Sequence, residues 1–210
     1  MGGRSSHGGP SFPAFHGGEP TLVIDFGLIR MRMTLERLQS YLLHLPYFFL
    51  ATLLVGADQY TKYLAVKRIA YGSTIEIVPN FFNLTYVKNY GAAFGLFQNQ
   101  LAIFVVVAVV AISVIVVYSF MISEKEYLLQ FGLSMLLGGA IGNFIDRLKL
   151  GYVIDFLNLH YYRHHWPVFN VADIAIDLGV AFILIKFLFL SGDEADEEVA
   201  VRSGEAEGIK

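Results

Sequence analysis

The chain has 210 residues, 55% of them hydrophobic and only 16% charged, whereas soluble domains average about 45–50% apolar and about 25% charged residues. A formal net charge of -3 gives no support to a nucleic-acid partner, and the absence of cysteine excludes disulfides, thiol nucleophiles and thiolate metal sites. The excess apolar content comes in long runs, which points to a polytopic membrane protein in one compact unit.

Residues 1–30 differ from the rest. Met1 to Pro20 is rich in Gly, Ser, Pro and His without an apolar period. Residues 1–30 read as a disordered or tag-like extension, with Met31 or Met33 as alternative starts, and are set aside from the fold. Thr21–Leu28 is too short for a signal-peptide core with a cleavage site. Four runs then approach the roughly 20 apolar residues that a spanning helix needs. They are 45–66, 101–122, 127–145 and 171–190, and together they make residues 31–190 a four-span membrane domain. The second and third runs are separated only by Ser123–Glu126, so they form an antiparallel hairpin. Between the first two runs, segment 73–97 mixes β-branched and aromatic residues with Pro79, Asn80, Gly91 and Gly95 and reads as short strands at the membrane surface. Segment 151–170 carries the single Trp and reads as an interfacial loop. Residues 191–210 hold seven acidic side chains and read as a solvated tail. The fold class expected is an all-α membrane protein with four transmembrane helices and a small β-rich cradle between helices 1 and 2. An even number of spans puts both termini on one side. Basic residues are nearly balanced across the two sides, but Arg30, Arg32 and Arg37 before the first run favour an inside N-terminus.

Ionisable groups inside spanning helices cost about 2.5–3.5 kcal/mol on insertion scales and mark functional positions. Asp58 and Lys62 are spaced i,i+4 and can pair on one face. That pair reads first as structural. Gly139, Asn143 and Arg147 repeat every four residues, so a small residue, an amide and a guanidinium share a face; Arg147 could simply snorkel, with Asp146 as its neutralising neighbour. Gly138 and Gly142 form a small-xxx-small pair that lets a helix approach closely. His160, His164 and His165 lie in a Tyr/Trp-rich segment and read as solvated interface residues; neither a metal nor a cofactor is expected. Asp155 and Asp173 lie on the same membrane side among apolar neighbours, with no Lys or Arg adjacent in sequence. Two carboxylates in a low-dielectric site share a proton, so one can activate water while the other protonates the scissile group. An ion-coupled carrier using Asp58, Asp173 and Lys186 is an alternative, although no internal repeat supports it. A non-catalytic scaffold is another.

Five blocks, in order, resemble the type II, or lipoprotein, signal peptidases over about residues 40–190. They are Asp58-Gln59-Tyr60-Thr61-Lys62, Asn89-Tyr90-Gly91-Ala92-Ala93-Phe94, Gly138 to Arg147, Val153-Ile154-Asp155-Phe156 and Phe169-Asn170-Val171-Ala172-Asp173. The Gly-x-Gly-Asp block of other intramembrane aspartyl proteases is absent. The resemblance implies a bacterial inner-membrane aspartic endopeptidase with cytoplasmic termini and an extracytoplasmic cradle. It implies a site near the outer face that cuts prolipoproteins just before the diacylglyceryl-modified cysteine. By position, Asp155 and Asp173 match the catalytic pair. Asn89, Gly91, Asn143, Arg147 and Asn170 match substrate-binding or supporting positions, and Asp58, Lys62 and Asp146 match structural ones. Membrane lipids are implied partners and a monomer the implied state. Gly95 stands where Ser is frequent, and Asp177 lies one turn beyond Asp173, where it would perturb the pair if it faced it.

Overall fold

A computed structural model of the chain describes residues 21–25, 30–91, 100–123, 125–162 and 164–190. The expectations for residues 1–20, the tail from 191, and Ala92, Ala93, Phe94 and Gly95 fall outside these residues. The chain divides into two units, residues 1–42 and 43–210.

In the first unit, β1 (Thr21–Asp25) pairs antiparallel with β2 (Arg30–Thr34), with Val23 opposite Arg32. Thr21–Asp25 lies in the stretch expected to be disordered, but its Leu-Val-Ile run is β-prone and forms a ribbon with β2. Helix α1 (Leu35–Arg68) follows and runs on into the second unit. It is longer than the 45–66 expected from hydropathy, because its first turns are polar and its last turn is basic.

The second unit holds the rest of α1 with α2 (Leu101–Met121), α3 (Tyr127–Leu150) and α4 (Val171–Ile185), the last extended by a π-helical turn, Lys186–Leu190. Among the described residues three helices, Leu38–Arg68, Leu101–Met121 and Tyr127–Leu150, are long and apolar enough to cross a membrane. α3 outruns its predicted end at 145, so Asp146 and Arg147 are helical; it stops at Gly151, whose φ of 80° supplies a left-handed cap. α2 buries only Ser119 among its residues. α3 buries twelve of its own and is the central helix.

The surface segment forms two strands, β3 (Thr74–Val78) and β4 (Phe82–Asn89). Segment 151–170 departs from the loop expected. It contains β5 (Val153–Tyr161) and a short β6 (His164–His165), giving a four-stranded antiparallel sheet in the order β3-β4-β5-β6. The sheet therefore joins the connection after α1 to the connection after α3. Its aromatic and apolar residues suit a membrane interface, but they alternate: Ile154 and Phe156 pack with Tyr86 on Ala65 and Ile69 of α1, and Asp155 between them takes the other face.

Glycines set how closely the helices approach. A Cβ on Gly139 would collide with the Ala172 carbonyl oxygen and come within 2.7 Å of Ile176 Cγ1. On Gly138 it would lie 3.0 Å from the Ala51 carbonyl oxygen, and on Gly142 2.6 Å from Asp58 Oδ2. The Gly138–Gly142 pair is thus spent against α1. Gly139→Ala should push α3 from α4 and cost about 1–3 kcal/mol, as overpacking does. Gly56→Ala, with nothing within 4 Å of the added carbon, should leave the melting temperature in micelles unchanged. Equal melting of the two variants would contradict the close α3–α4 approach.

Candidate active site

Five elements converge where the sheet meets the helices. α1 supplies Asp58, Gln59 and Lys62; α3 supplies Asn143, Asp146 and Arg147; β4 and β5 supply Asn89 and Asp155; and Asn170 and Asp173 open α4. The i,i+4 pairing predicted for Asp58 and Lys62 is present, at 2.8 Å from Nζ to Oδ2. Spacing could not reveal the rest of the arrangement. The buried Lys62 ammonium also contacts Asp146 Oδ2 at 2.9 Å and donates to Asn143 Oδ1 at 3.0 Å. Its three N–H groups have three acceptors. Asp146 is therefore a partner of Lys62, with no ion pair to its sequence neighbour Arg147 among the described residues.

Each carboxylate uses its second interaction to hold a backbone. Asp58 Oδ1 accepts from the Ala172 N–H at 3.0 Å, and Asp146 Oδ2 accepts from the Ile154 N–H at 3.1 Å. Gln59, not singled out from sequence, donates to Asp146 Oδ1 at 2.9 Å and to the Gly142 carbonyl at 3.2 Å. Its place beside Asp58 in the first block was the available signal.

Asp173 is the third helical residue of α4 and completes a capping box with Asn170. Asn170 Oδ1 accepts from the Asp173 N–H at 3.0 Å, and Asp173 Oδ2 accepts from the Asn170 N–H at 3.1 Å. The Asn170 side chain is fully buried, and its Nδ2 donates to Asp155 Oδ1 at 2.7 Å. A single amide thus touches both aspartates. Asp155 Oδ2 accepts from Asn89 Nδ2 at 2.9 Å, and Asn89 Oδ1 accepts from the Gly91 N–H at 2.9 Å. Asn89 lies opposite Val153, two residues from Asp155 on the same sheet face. Asn143 Nδ2 donates to Asp173 Oδ1 at 2.8 Å. Its oxygen is held by both Lys62 and Asn170 Nδ2, the latter at 3.2 Å, which leaves only its nitrogen to face Asp173. Lys62 therefore orients an amide that touches Asp173, although no base adjoins either aspartate in sequence.

Burial pushes the Asp155 carboxyl up to about 7, and the neighbouring Asp173 charge adds to this, against the opposing effect of the amides of Asn89 and Asn170. Asp155 is 2% exposed. Asp177 is exposed on α4. The described residues hold no cluster of three His, Cys, Asp or Glu side chains placed for a metal; His160 and His165 stack as a pair with centroids 5.3 Å apart.

A family model described as signal peptidase (SPase) II matches residues 50–189. The chain belongs to the signal peptidase II family. It is 43% identical to the lipoprotein signal peptidase of Syntrophotalea carbinolica over 139 residues, 65% of this chain and 86% of the relative. To that of Moorella thermoacetica it is 42% identical over 154 residues, covering 73% and 99%. To that of Enterococcus faecalis it is 43% identical over 152 residues, covering 72% and 92%. A bacterial membrane enzyme solved by the in meso method at 2.3 Å resolution superposes with a TM-score of 0.64 at 32% identity, over 68% of this chain and 87% of that one. A similar membrane-enzyme structure at 1.9 Å gives 0.62, also at 32% identity, over 70% and 94%. The five sequence blocks lie within the matched family region, and the chain is a peptidase of the lipoprotein-processing class.

Two predictions follow from the geometry. Lys62→Met leaves two buried carboxylates without their cation and should cost about 3–5 kcal/mol; a melting temperature equal to that of the wild type would show that the triad contributes nothing. The second concerns Asp155, whose ordinary value is 3.8 and whose folded value is about 7. Between these pH values the folded chain holds a proton that the unfolded chain has released. Stability therefore falls as pH rises from about 4 to about 7, by roughly 2–4 kcal/mol for this group. Melts of wild type and Asp155→Asn across this range should show the wild type losing ground to the variant as pH rises; a constant difference would refute the raised value.

Proposed function

We propose that the chain is a membrane aspartic endopeptidase that cleaves the signal peptide from diacylglyceryl-modified prolipoproteins, just before the lipidated cysteine. The observation that carries this reading is the Asn170 amide and backbone touching both Asp155 and Asp173 in a chain of the signal peptidase II family. Asp155, with its raised affinity for a proton, serves as the acid at neutral pH. Asp173 lies at a helix N-terminus, where the dipole favours negative charge, and serves as the base that activates water. The proton taken from water ends on one carboxyl, and the other passes its own to the departing amine. Asn143 is engaged at both its oxygen and its nitrogen, so its role is to position Asp173. Arg147 remains as the open donor for a backbone carbonyl of the substrate.

α1, α2, α3 and the continuous 171–190 segment are four spans, with both termini cytoplasmic, in the bacterial inner membrane. The basic residues ahead of the first span support this orientation. The sheet then lies extracytoplasmic and the Asp pair near the outer face, where a membrane-anchored signal peptide meets its lipidated cysteine. The β3–β4 hairpin lies over the bound peptide as a clamp. The acyl chains lie against α2 and α3, and the enzyme acts as a monomer.

The experiment is incubation of the purified chain in micelles with a lipidated prolipoprotein, read by gel shift. Asp155→Asn and Asp173→Asn should each lower cleavage by about 10²–10⁴-fold or more with melting retained, and a substrate without the diacylglyceryl group should be cut poorly. Normal turnover by either variant would end the dyad reading, and equal cutting of both substrates would end the lipid-recognition reading.

A further inference from the structure

Arg147 has an unusual support for a cation beside two aspartates. No carboxylate among the described residues lies within ion-pair distance of it. Its one hydrogen bond there is a long one, 3.4 Å from Nη1 to the Asn143 carbonyl in its own helix. What faces the guanidinium is an aromatic ring: Cζ lies 4.9 Å from the centroid of Phe104, in the first turn of α2. α2 is otherwise the least buried helix, with Ile103, Val106 and Val107 all exposed, yet Phe104 is half-buried. The short connection after α2 makes it run antiparallel to α3 and brings its start to the end of α3; Leu101 correspondingly reaches Gly151.

The manner of holding decides what Arg147 can do. A carboxylate binds guanidinium through the in-plane N–H fork and uses those donors. A ring attracts the cation over its own face, and where the two planes stack it takes up none of the in-plane donors. We propose that Phe104 is a positioning residue: it holds Arg147 by its face beside the aspartates so that the edge of the guanidinium is free to bind a backbone carbonyl of the substrate. The assignment rests on the aspartyl-peptidase reading above. It also gives α2, which contributes to none of the five sequence blocks, a part in the site. Since the contact with the substrate carbonyl is made on binding and kept afterwards, losing the alignment raises KM and leaves kcat nearly unchanged.

The test replaces Phe104 with pentafluorophenylalanine, which keeps the shape of the ring and removes its attraction for a cation, in the full chain acting on a lipidated prolipoprotein. KM should rise about 5- to 30-fold, the range cation–π contacts of this kind reach, with melting unchanged, while Phe104→Tyr stays within about 2-fold of wild type. A fluorinated protein with wild-type KM overturns the proposal. So does a loss confined to kcat, or a Phe104→Tyr variant as impaired as the fluorinated one. Asp155→Asn and Asp173→Asn run alongside. Turnover by either sinks the aspartyl reading, whereas their failure together with a wild-type KM in the fluorinated protein sinks only the role of Phe104.

Discussion

The interaction on which the site depends is one buried ammonium with three acceptors. Lys62 meets Asp58, Asp146 and Asn143 within 3.0 Å, and each acceptor belongs to a different constraint. Asp58 ties the start of α4 through the Ala172 N–H, Asp146 ties the start of β5 through the Ile154 N–H, and Asn143 faces Asp173. Desolvating these charges is expensive, and Coulomb attraction repays that cost only when every lone pair and proton is used. Here every ammonium proton and every carboxylate oxygen has a partner, one of them Gln59. The network also works as a register device: it sets how far α4 and β5 extend relative to α1, and hence where the two candidate catalytic carboxylates fall.

Around that centre the site is built mostly from asparagine. Asn89, Asn143 and Asn170 each present an oxygen to a donor and a nitrogen to an aspartate. A lysine or arginine in any of these places would hold the carboxylates ionised. An amide fixes geometry without adding charge, so burial and the Asp173 charge still raise the Asp155 carboxyl against the weaker opposing pull of the amides. The glycines of α3 serve the same end. Without side chains at 139 and 142, α3 can lie against α1 and α4 closely enough for such short side chains to meet.

Much of this was legible in the sequence where the period of one element carries it. Asp58 with Lys62, and the face holding Gly139, Asn143 and Arg147, are both i,i+4 patterns, and the helical hairpin follows from four connecting residues. Asp155 and Asp173 stood out as carboxylates among apolar neighbours. Contacts between elements were not legible. Lys62 reaches Asn143 across 81 positions, and no local pattern encodes that. β5 was hidden because its aromatic and apolar residues suit a membrane interface as well as a strand, and only pairing with β4 separates the two. Phe104 was hidden in an apolar run where every residue looks lipid-facing. Asp177, a question raised by its spacing from Asp173, proves exposed.

The capping box that opens α4 ties the candidate site to the order in which the molecule is made. Asn170 can present its nitrogen to Asp155 and its backbone to Asp173 only when the last helix has wound from its first turn. Without that turn Asp155 and Asp173 lack the partner they have in common. The candidate site is therefore complete only once the final helix has formed.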